Sequence, residues 1–260
     1  MKKITKILAI IAATALLSLS AGCIKDSNKT TIEKVKENGY ITMATNAEFE
    51  PFEYKDGTEF LGIDIDISKK IAEKLGVELK ISDVAFSAVL QELANGTCEF
   101  VAAGMSYDET RAKNADFSDP YFSASQVILV NSDSSIASAD DLNGKKIGVQ
   151  EGTTGADYCE EKLEAEVIPF SKHVDAVSDL IAGQIDAVVL DDFPATKFVE
   201  KNSDKIKKLD TPLTEETYSI VVAKDDKEML ELVNEVLADL KSSGELQKII
   251  DNYQDVLGAE

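Results

Sequence analysis

The chain has 260 residues, of which 44% are hydrophobic and 29% charged, a composition typical of a globular protein. Its 27 Lys and Arg residues against 48 Asp and Glu residues give a formal net charge of −21 at pH 7. So acidic a chain repels the phosphates of nucleic acids, which argues against nucleic-acid binding. With one His and three Cys residues, the chain offers few ligands for a zinc site, and we expect neither a metal nor another cofactor.

The N-terminal residues have the features of a signal peptide. Lysines precede an apolar stretch over residues 7–17 that is shorter than a typical membrane span. Small residues then lead to Cys23, as in the signal of a bacterial lipoprotein, although Ser20 stands where a large aliphatic residue is usual. We expect residues 1–22 to be removed, Cys23 to be lipidated, with palmitate as one acyl chain, and residues 23–30 to form a polar tether. The alternative is an ordinary secretory signal or an uncleaved anchor.

Hydrophobic spacing and turn residues predict strands that alternate with helices. In the first half, we predict strands over residues 41–45, 78–81 and 100–103 and helices over residues 65–75 and 87–95. In the second half, we predict strands over residues 146–150, 166–169 and 187–190 and helices over residues 155–163 and 174–182. In the tail, we predict a strand over residues 218–223 and helices over residues 227–242 and 245–253. This alternation indicates parallel sheets with helices on both faces.

The chain contains an internal repeat. Residues 93–104 match residues 180–191 at a constant offset, and residues 39–46 match residues 144–151 in the same order. Two matched pairs indicate two similar α/β lobes, and a ligand of such sheets binds beyond the carboxyl ends of the strands. The matched strands end at Thr45-Asn46, Gly104, Gln150-Glu151 and Asp191. Because Cys98 and Cys159 fall in different lobes, we expect two unpaired thiols, with the disulfide of an exported protein as the alternative.

The polar residues near these strand ends suit a free amino acid. Arg111 is the single arginine of the chain, and its planar guanidinium matches a carboxylate, although a surface pair with Asp108 is the alternative. Residues 152–154 open a helix whose free N–H groups favour an anion, or they form a simple helix cap. Asp191 ends an apolar strand and is the natural partner of an ammonium group, with Asp192 as the competing candidate.

Several segments in a fixed order resemble the amino-acid-binding proteins of bacterial ABC importers, the family 3 extracellular solute-binding proteins. The segments that carry this resemblance are residues 45–54, 62–66, 103–106, 109–111, 116–121, 148–154 and 186–191. The resemblance implies a two-lobed, type II periplasmic-binding-protein-like α/β fold, with each lobe a mostly parallel sheet flanked by helices and the ligand cleft between the lobes. The first lobe would comprise residues 31–126 and 218–260, and the second residues 127–217.

The resemblance also implies how the charged ends of an α-amino acid would be bound. Arg111 would bind the carboxylate, and Asp191 and the Gly104 carbonyl would accept hydrogen bonds from the ammonium group. The hydroxyl-bearing residues that would assist Arg111 are Ser106, Thr153 and Thr154.

The rest of the pocket would hold the ligand side chain. Its expected residues are Asn46, Phe49, Phe52, Phe86 and Gln150, with Phe49 and Phe86 flanking the side chain. Each phenylalanine taken alone is more often part of a core. Asn46 stands where the family often has aspartate, which argues against a strongly cationic substrate unless Glu48 or Glu151 compensates.

By the same resemblance, the protein would be an extracytoplasmic, lipid-anchored, monomeric component of an ABC importer. It would capture an L-amino acid by hinge closure and deliver it to a membrane permease and its ATPase subunit. We expect a polar or sulfur-containing neutral amino acid, with lysine or arginine next. We do not expect an enzyme, because His173 has no nucleophile beside it in the sequence and no phosphate-binding or dinucleotide motif is present. The alternatives are a sensor module with the same site and a dehydratase that uses Glu151 as its acid.

Overall fold

The computed structural model describes residues 29–253, and those from Thr31 onward form one compact unit. The signal peptide, Cys23 and most of the predicted tether lie outside the described residues. Among the helices that are described, none is long and apolar enough to cross a membrane.

The described strands and helices alternate along much of the chain. The strands are β1 (Tyr40–Thr45), β2 (Glu48–Phe49), β3 (Glu53–Asp56), β4 (Glu59–Leu61), β5 (Glu78–Asp83), β6 (Phe100–Val101), β7 (Ala115–Phe117), β8 (Phe122–Ala124), β9 (Gln126–Asn131), β10 (Lys146–Gln150), β11 (Glu166–Phe170), β12 (Ala187–Asp191), β13 (Ile206–Lys208), β14 (Glu216–Tyr218) and β15 (Val221–Ala223). The α-helices are α1 (Thr31–Asn38), α2 (Ile63–Leu75), α3 (Val89–Asn95), α4 (Thr154–Lys162), α5 (His173–Ile181), α6 (Asp192–Lys201), α7 (Lys227–Ser243) and α8 (Glu245–Asn252).

Two five-stranded sheets have the same topology. Their strand orders are β5-β1-β6-β15-β7 and β11-β10-β12-β9-β13. In each sheet the first three strands are parallel, and the fourth runs antiparallel to both of its neighbours. The sheets are therefore mixed. Neither β9 nor β15 is preceded by a crossover helix, so the alternation of strands and helices carried no information about their direction.

The internal repeat corresponds to equivalent elements of the two sheets. Gly96 directly follows α3, and Gly183 follows α5 after one intervening residue. Both glycines have a φ of 70°, in the left-handed region that glycine favours. The strands that follow these glycines are β6 and β12, which pair with β1 and β10, respectively. β1 and β10 lie in the other two matched segments, residues 39–46 and 144–151. The prediction of two similar lobes is confirmed.

Each lobe has its own apolar core against which its helices pack. In α2 the predicted apolar positions Ile67 and Ile71 are fully buried, and Gly76 caps the helix with a φ of 70°. Burying one such side chain contributes about 1.5–3 kcal/mol to stability. Cys98 and Cys159 are free and buried, as predicted from their placement in different lobes.

Most predicted elements begin and end within about two residues of the observed bounds, and two elements differ in kind. The predicted helix over residues 87–95 begins as a 3₁₀ turn, Phe86–Ala88, before α3. The single strand predicted over residues 218–223 is two strands, because β14 pairs with β8 whereas β15 pairs with β6 and β7.

Candidate functional site

A cavity lies at the carboxyl ends of the matched strands. The residues that line it are Asn46, Phe49, Glu53, Phe86, Ala103, Gly104, Ser106, Arg111, Gln150, Thr153, Thr154, His173 and Asp191. Every predicted ligand-binding residue except Phe52 is among them.

Phe52 belongs to the core instead. Its side chain is 0% exposed, and its ring packs edge-on against Phe122 and Tyr218, with centroids 4.9 and 5.0 Å apart. Phe49, three residues earlier, has its ring at the cavity, where it contacts Gly104. Phe49 and Phe52, which are close in sequence, therefore have different roles: Phe49 lines the cavity and Phe52 belongs to the core. The sequence alone did not distinguish them.

Arg111 lies in a 3₁₀ turn, Arg111–Lys113. The Asp108 carboxylate accepts hydrogen bonds from the backbone N–H groups of Thr110 and Arg111, at 2.7 and 3.0 Å, and so shapes the turn. The guanidinium donates to the Ser106 carbonyl and to the Gly152 carbonyl, both at 2.8 Å. Burial lowers the pKa of Arg111, while the nearby carboxylates, Asp108 first among them, oppose that shift. A half-buried cation with several donors thus lies at the cavity wall.

The start of α4 contributes a helix N-terminus to the same wall. Thr153 is the N-cap, and its hydroxyl accepts a hydrogen bond from the Ala156 N–H at 3.2 Å and donates to the Gln150 carbonyl at 2.9 Å. The capping interpretation is therefore correct. The N–H groups of a first helical turn lack intrahelical partners, which also makes this end suitable for an anion.

Asp191, at the end of β12, faces the cavity and is 5% exposed. The Tyr218 hydroxyl donates to it at 2.5 Å. Burial raises the pKa of Asp191 to about 7, against the opposing effect of that hydrogen bond. The competing candidate, Asp192, forms an ion pair with Lys208 and does not line the cavity.

Gly104 is held beside the cavity by a second buried acid. Its N–H donates to Asp64 at 2.8 Å, and the Tyr121 hydroxyl donates to the other oxygen of Asp64 at 2.6 Å. Gly104 has a φ of 51°, and a Cβ built on it would lie 2.6 Å from the ring of Phe49. Burial raises the pKa of Asp64 to about 6. Glycine is thus required here both by conformation and by the close approach of the ring.

Glu53 and His173 line the cavity and were missed in the sequence. Glu53 is fully buried, and among the described residues neither of its carboxyl oxygens has a hydrogen-bond partner. Burial, and then the neighbouring Asp64 carboxylate, raise the pKa of Glu53 well above its usual range. His173 lies with its ring centroid 6.0 Å from that of Phe49, and burial lowers its pKa to about 4. No pattern in the sequence distinguishes a buried acid in a short strand from an exposed one.

Hydrogen bonds and ion pairs join the two lobes around the cavity. Inside it, the Gln150 side chain donates to the Asn46 side chain at 3.1 Å. Outside it, Lys201 pairs with Glu50 at 2.8 Å, and Lys172 pairs with Glu48. The two lobes therefore meet both inside the cavity and outside it.

Two lobes of matching topology around a cavity that is lined by a half-buried arginine and a buried aspartate are typical of a binding protein for a small molecule. A family model described as bacterial extracellular solute-binding proteins, family 3, matches residues 41–256. The chain belongs to this family, which places it outside the cytoplasm.

The relatives are amino-acid-binding proteins of ABC transporters. The arginine-binding extracellular protein ArtP of Bacillus subtilis is 30% identical over 94% of this chain and 95% of its own length. The ABC transporter glutamine-binding protein GlnH of the same organism is 33% identical over 97% of each chain.

Solved structures with the same fold include binding proteins for arginine. A mutant of ArgBP from T. maritima is 40% identical with a TM-score of 0.83, and the match covers 86% of this chain and 99% of that one. The ancestral amino acid-binding protein AncCDT-1, described as a precursor of cyclohexadienyl dehydratase, is 31% identical with a TM-score of 0.81 over 86% and 99% of the two chains.

Proposed function

We propose that this protein is the substrate-binding component of an ABC importer and binds a free L-amino acid. The observation that carries the proposal is that a cation, Arg111, and an acid, Asp191, both line one cavity. Arg111 would bind the α-carboxylate, together with the N–H groups at the start of α4. Asp191 and the Gly104 carbonyl would accept hydrogen bonds from the α-ammonium group.

The ligand would be enclosed by closure of the two lobes about a hinge. We assign residues 31–126 and 218–260 to the first lobe and residues 127–217 to the second. The chain passes between them beside β8 and β14, which pair with each other. The hydrogen bonds from Gln150 to Asn46 and from Arg111 to Gly152 support closure, because each joins groups of different lobes.

The groups around the rest of the cavity favour a ligand side chain that ends in a nitrogen donor. The buried carboxyl group of Glu53 would accept a hydrogen bond through its carbonyl oxygen, whereas the side-chain NH₂ groups of Asn46 and Gln150 already donate to other groups of the protein. Phe49 and Phe86 offer apolar ring surfaces at the same cavity. We therefore favour L-arginine or L-glutamine over methionine and cysteine, whose side chains carry no nitrogen donor. Relatives named for arginine and for glutamine agree with both choices.

Anchoring and delivery complete the proposal. Cys23 would carry the lipid that holds a monomeric protein at the outer face of the cell membrane, and a permease with its ATPase would receive the amino acid. A sensor module would use the same site and differ only in its partner. The dehydratase alternative loses its candidate acid, because Glu151 is exposed and does not line the cavity.

A melting-temperature screen against the twenty amino acids, ornithine and cystine tests the proposal. The purified protein is first unfolded and refolded to remove any ligand carried through purification. A ligand at 100 times its dissociation constant stabilises by about 2.7 kcal/mol, which raises the melting temperature by a few degrees. We expect such a shift with one or two L-amino acids. If no amino acid shifts the melting temperature of the refolded protein, the proposed function is wrong.

A further inference from the structure

The cavity is lined by two residues whose buried polar atoms have no hydrogen-bond partner. Among the described residues, these atoms are the carboxyl oxygens of Glu53 and the Nε2 of His173. Glu53 begins β3 of the first lobe, and His173 begins α5 of the second. Because buried polar groups in proteins are nearly always hydrogen-bonded, an unpaired one at a cavity indicates a ligand that supplies the missing bond.

His173 lies where the two lobes meet. The preceding residue, Lys172, pairs with Glu48 of the first lobe. The next residue of that lobe is Phe49, whose ring centroid lies 6.0 Å from that of His173. Two consecutive residues at the start of α5 therefore meet two consecutive residues of β2, and closure of the lobes would bring His173 to the ligand.

The imidazole of His173 is neutral at pH 7, since burial lowers its pKa to about 4. A neutral imidazole has one nitrogen that donates and one that accepts, and either nitrogen can carry the proton. Nε2 can therefore accept a hydrogen bond from a guanidinium or donate one to a carboxamide oxygen. The thioether of methionine has no donor and is only a weak acceptor. The unpaired Nε2 thus suits arginine or glutamine and does not suit methionine.

We propose that His173 is a specificity-determining residue whose Nε2 forms a hydrogen bond with the polar end of the ligand's side chain. This inference rests on the proposed function. Glu53 provides the other partner, so each lobe contributes one polar group to the same end of the ligand. An apolar side chain would leave both groups unpaired, and the pair therefore selects against it.

Substitutions at position 173 separate the effect of Nε2 from that of the rest of the ring. His173→Phe keeps an aromatic ring of similar size and removes both nitrogens. His173→Gln is long enough to place a polar group near the position of Nε2, whereas His173→Asn reaches only as far as Nδ1. Val174→Ala is the control, at the next residue, which is exposed and does not line the cavity.

Titration calorimetry measures the dissociation constants for L-arginine, L-glutamine and L-methionine, and for the tightest other polar L-amino acid if neither of the first two binds. We expect His173→Phe to weaken binding of the polar amino acid by roughly tenfold or more, because a buried hydrogen bond is lost. Binding of L-methionine, which forms no such bond, should not weaken by more than about twofold. His173→Gln should recover part of the loss and His173→Asn should not. Val174→Ala should bind as the wild type does.

Nitrogen NMR gives a second measurement that needs no variant. His173 is the only histidine of the chain, so the untagged protein with isotope-labelled histidine gives the resonances of this ring alone. Saturation with the polar amino acid should shift the Nε2 resonance more than the Nδ1 resonance, because Nε2 gains the hydrogen bond. This measurement decides the matter if His173→Phe does not fold.

Several outcomes would overturn the inference and leave the proposed function intact. They are binding of the polar amino acid by His173→Phe within about twofold of the wild type, an equal loss for the polar amino acid and L-methionine, recovery by His173→Asn as large as by His173→Gln, and an Nε2 resonance that the polar amino acid does not shift. Failure of the wild type itself to bind any amino acid would instead overturn the proposed function, and this inference with it.

Discussion

Arg111 is tied to both lobes through two backbone carbonyls, those of Ser106 and Gly152. A guanidinium has five donors in a planar fork, so it can keep these bonds and still offer N–H groups to a carboxylate. An ammonium group has three donors on one atom and cannot span the same positions.

We therefore expect Arg111→Lys to bind the amino acid at least tenfold more weakly than the wild type, although the charge is unchanged. Lys113→Ala, which removes an exposed cation from the same turn, should have no effect. Titration calorimetry of the three proteins measures this. Equal affinity of Arg111→Lys and the wild type would remove Arg111 from the site.

Asp191 makes the stability of the ligand-free protein depend on pH. Its pKa rises from 3.8 to about 7 on burial. Between these values the folded state holds a proton that the unfolded state has lost, so this carboxyl lowers the free energy of unfolding as the pH rises. The raised pKa also means that a ligand's ammonium group would favour release of that proton.

For Asp191→Asn we expect the free energy of unfolding, relative to the wild type, to increase between about pH 4 and pH 7. Urea denaturation of the ligand-free proteins at several pH values in this window measures the difference. Asp192→Asn is the control, because Asp192 pairs with Lys208 outside the cavity. A constant difference across the window would show that Asp191 does not titrate there.

Site residues could be predicted from the sequence where the residue type is rare in this chain or where a charged residue stands in an otherwise apolar segment. Arg111 is the single arginine, and Asp191 interrupts an apolar strand end, so each demanded an explanation. Phe52 and Glu53 could not be assigned in the same way. A phenylalanine suits core and site equally well, and a glutamate next to it is ordinarily exposed. Only the packing of β3 shows that both are fully buried.

At the level of the element, the strand end that follows β6 is shaped by Gly104. Its left-handed φ of 51° and the Phe49 ring, 2.6 Å from a Cβ at this position, both exclude a side chain. Gly39 also has a left-handed φ, of 74°, but no atom lies within 4 Å of a Cβ built there. An alanine at Gly39 would therefore introduce conformational strain alone, whereas an alanine at Gly104 would introduce the same strain and also displace the Phe49 ring.

Gly104→Ala and Gly39→Ala should each destabilise the protein by about 1–2 kcal/mol through left-handed strain. Only Gly104→Ala should also weaken amino-acid binding, by roughly tenfold or more, because the Phe49 ring must move. Melting temperatures and dissociation constants of both variants measure the two effects separately. Unchanged affinity in Gly104→Ala would mean that the position of the ring does not matter to the ligand.

Helices and parallel strands were predictable because helical spacing and turn glycines leave a local pattern. The residues of α2 and the caps at Gly76, Gly96 and Gly183 follow it closely. The strand β9 was not predicted, and β15 was predicted only as part of a longer strand over residues 218–223. The antiparallel pairing of both strands is set by partners distant in sequence. The hairpins formed by β2, β3 and β4 were not predicted, and neither was helix α6. Glu53 is the first residue of β3.

For the whole molecule, the two sheets of equal topology place their strand ends around one cavity. The repeat in the sequence was enough to predict this arrangement, because similar lobes present equivalent ends to each other. It could not predict which side-chain groups meet across the cavity. The bonds between Asn46 and Gln150 and between Ser106 and Glu216 depend on how the lobes close.

The central claim is that this cavity binds a free amino acid by its charged ends. The most direct test is calorimetric titration of the refolded protein with L-arginine and L-glutamine, and with the α-amide of each. We expect at least one of the amino acids to bind, and its α-amide, which lacks the carboxylate, to bind roughly a hundredfold more weakly or not at all. An amide that binds as tightly as its amino acid, or no heat with either pair, would contradict the claim.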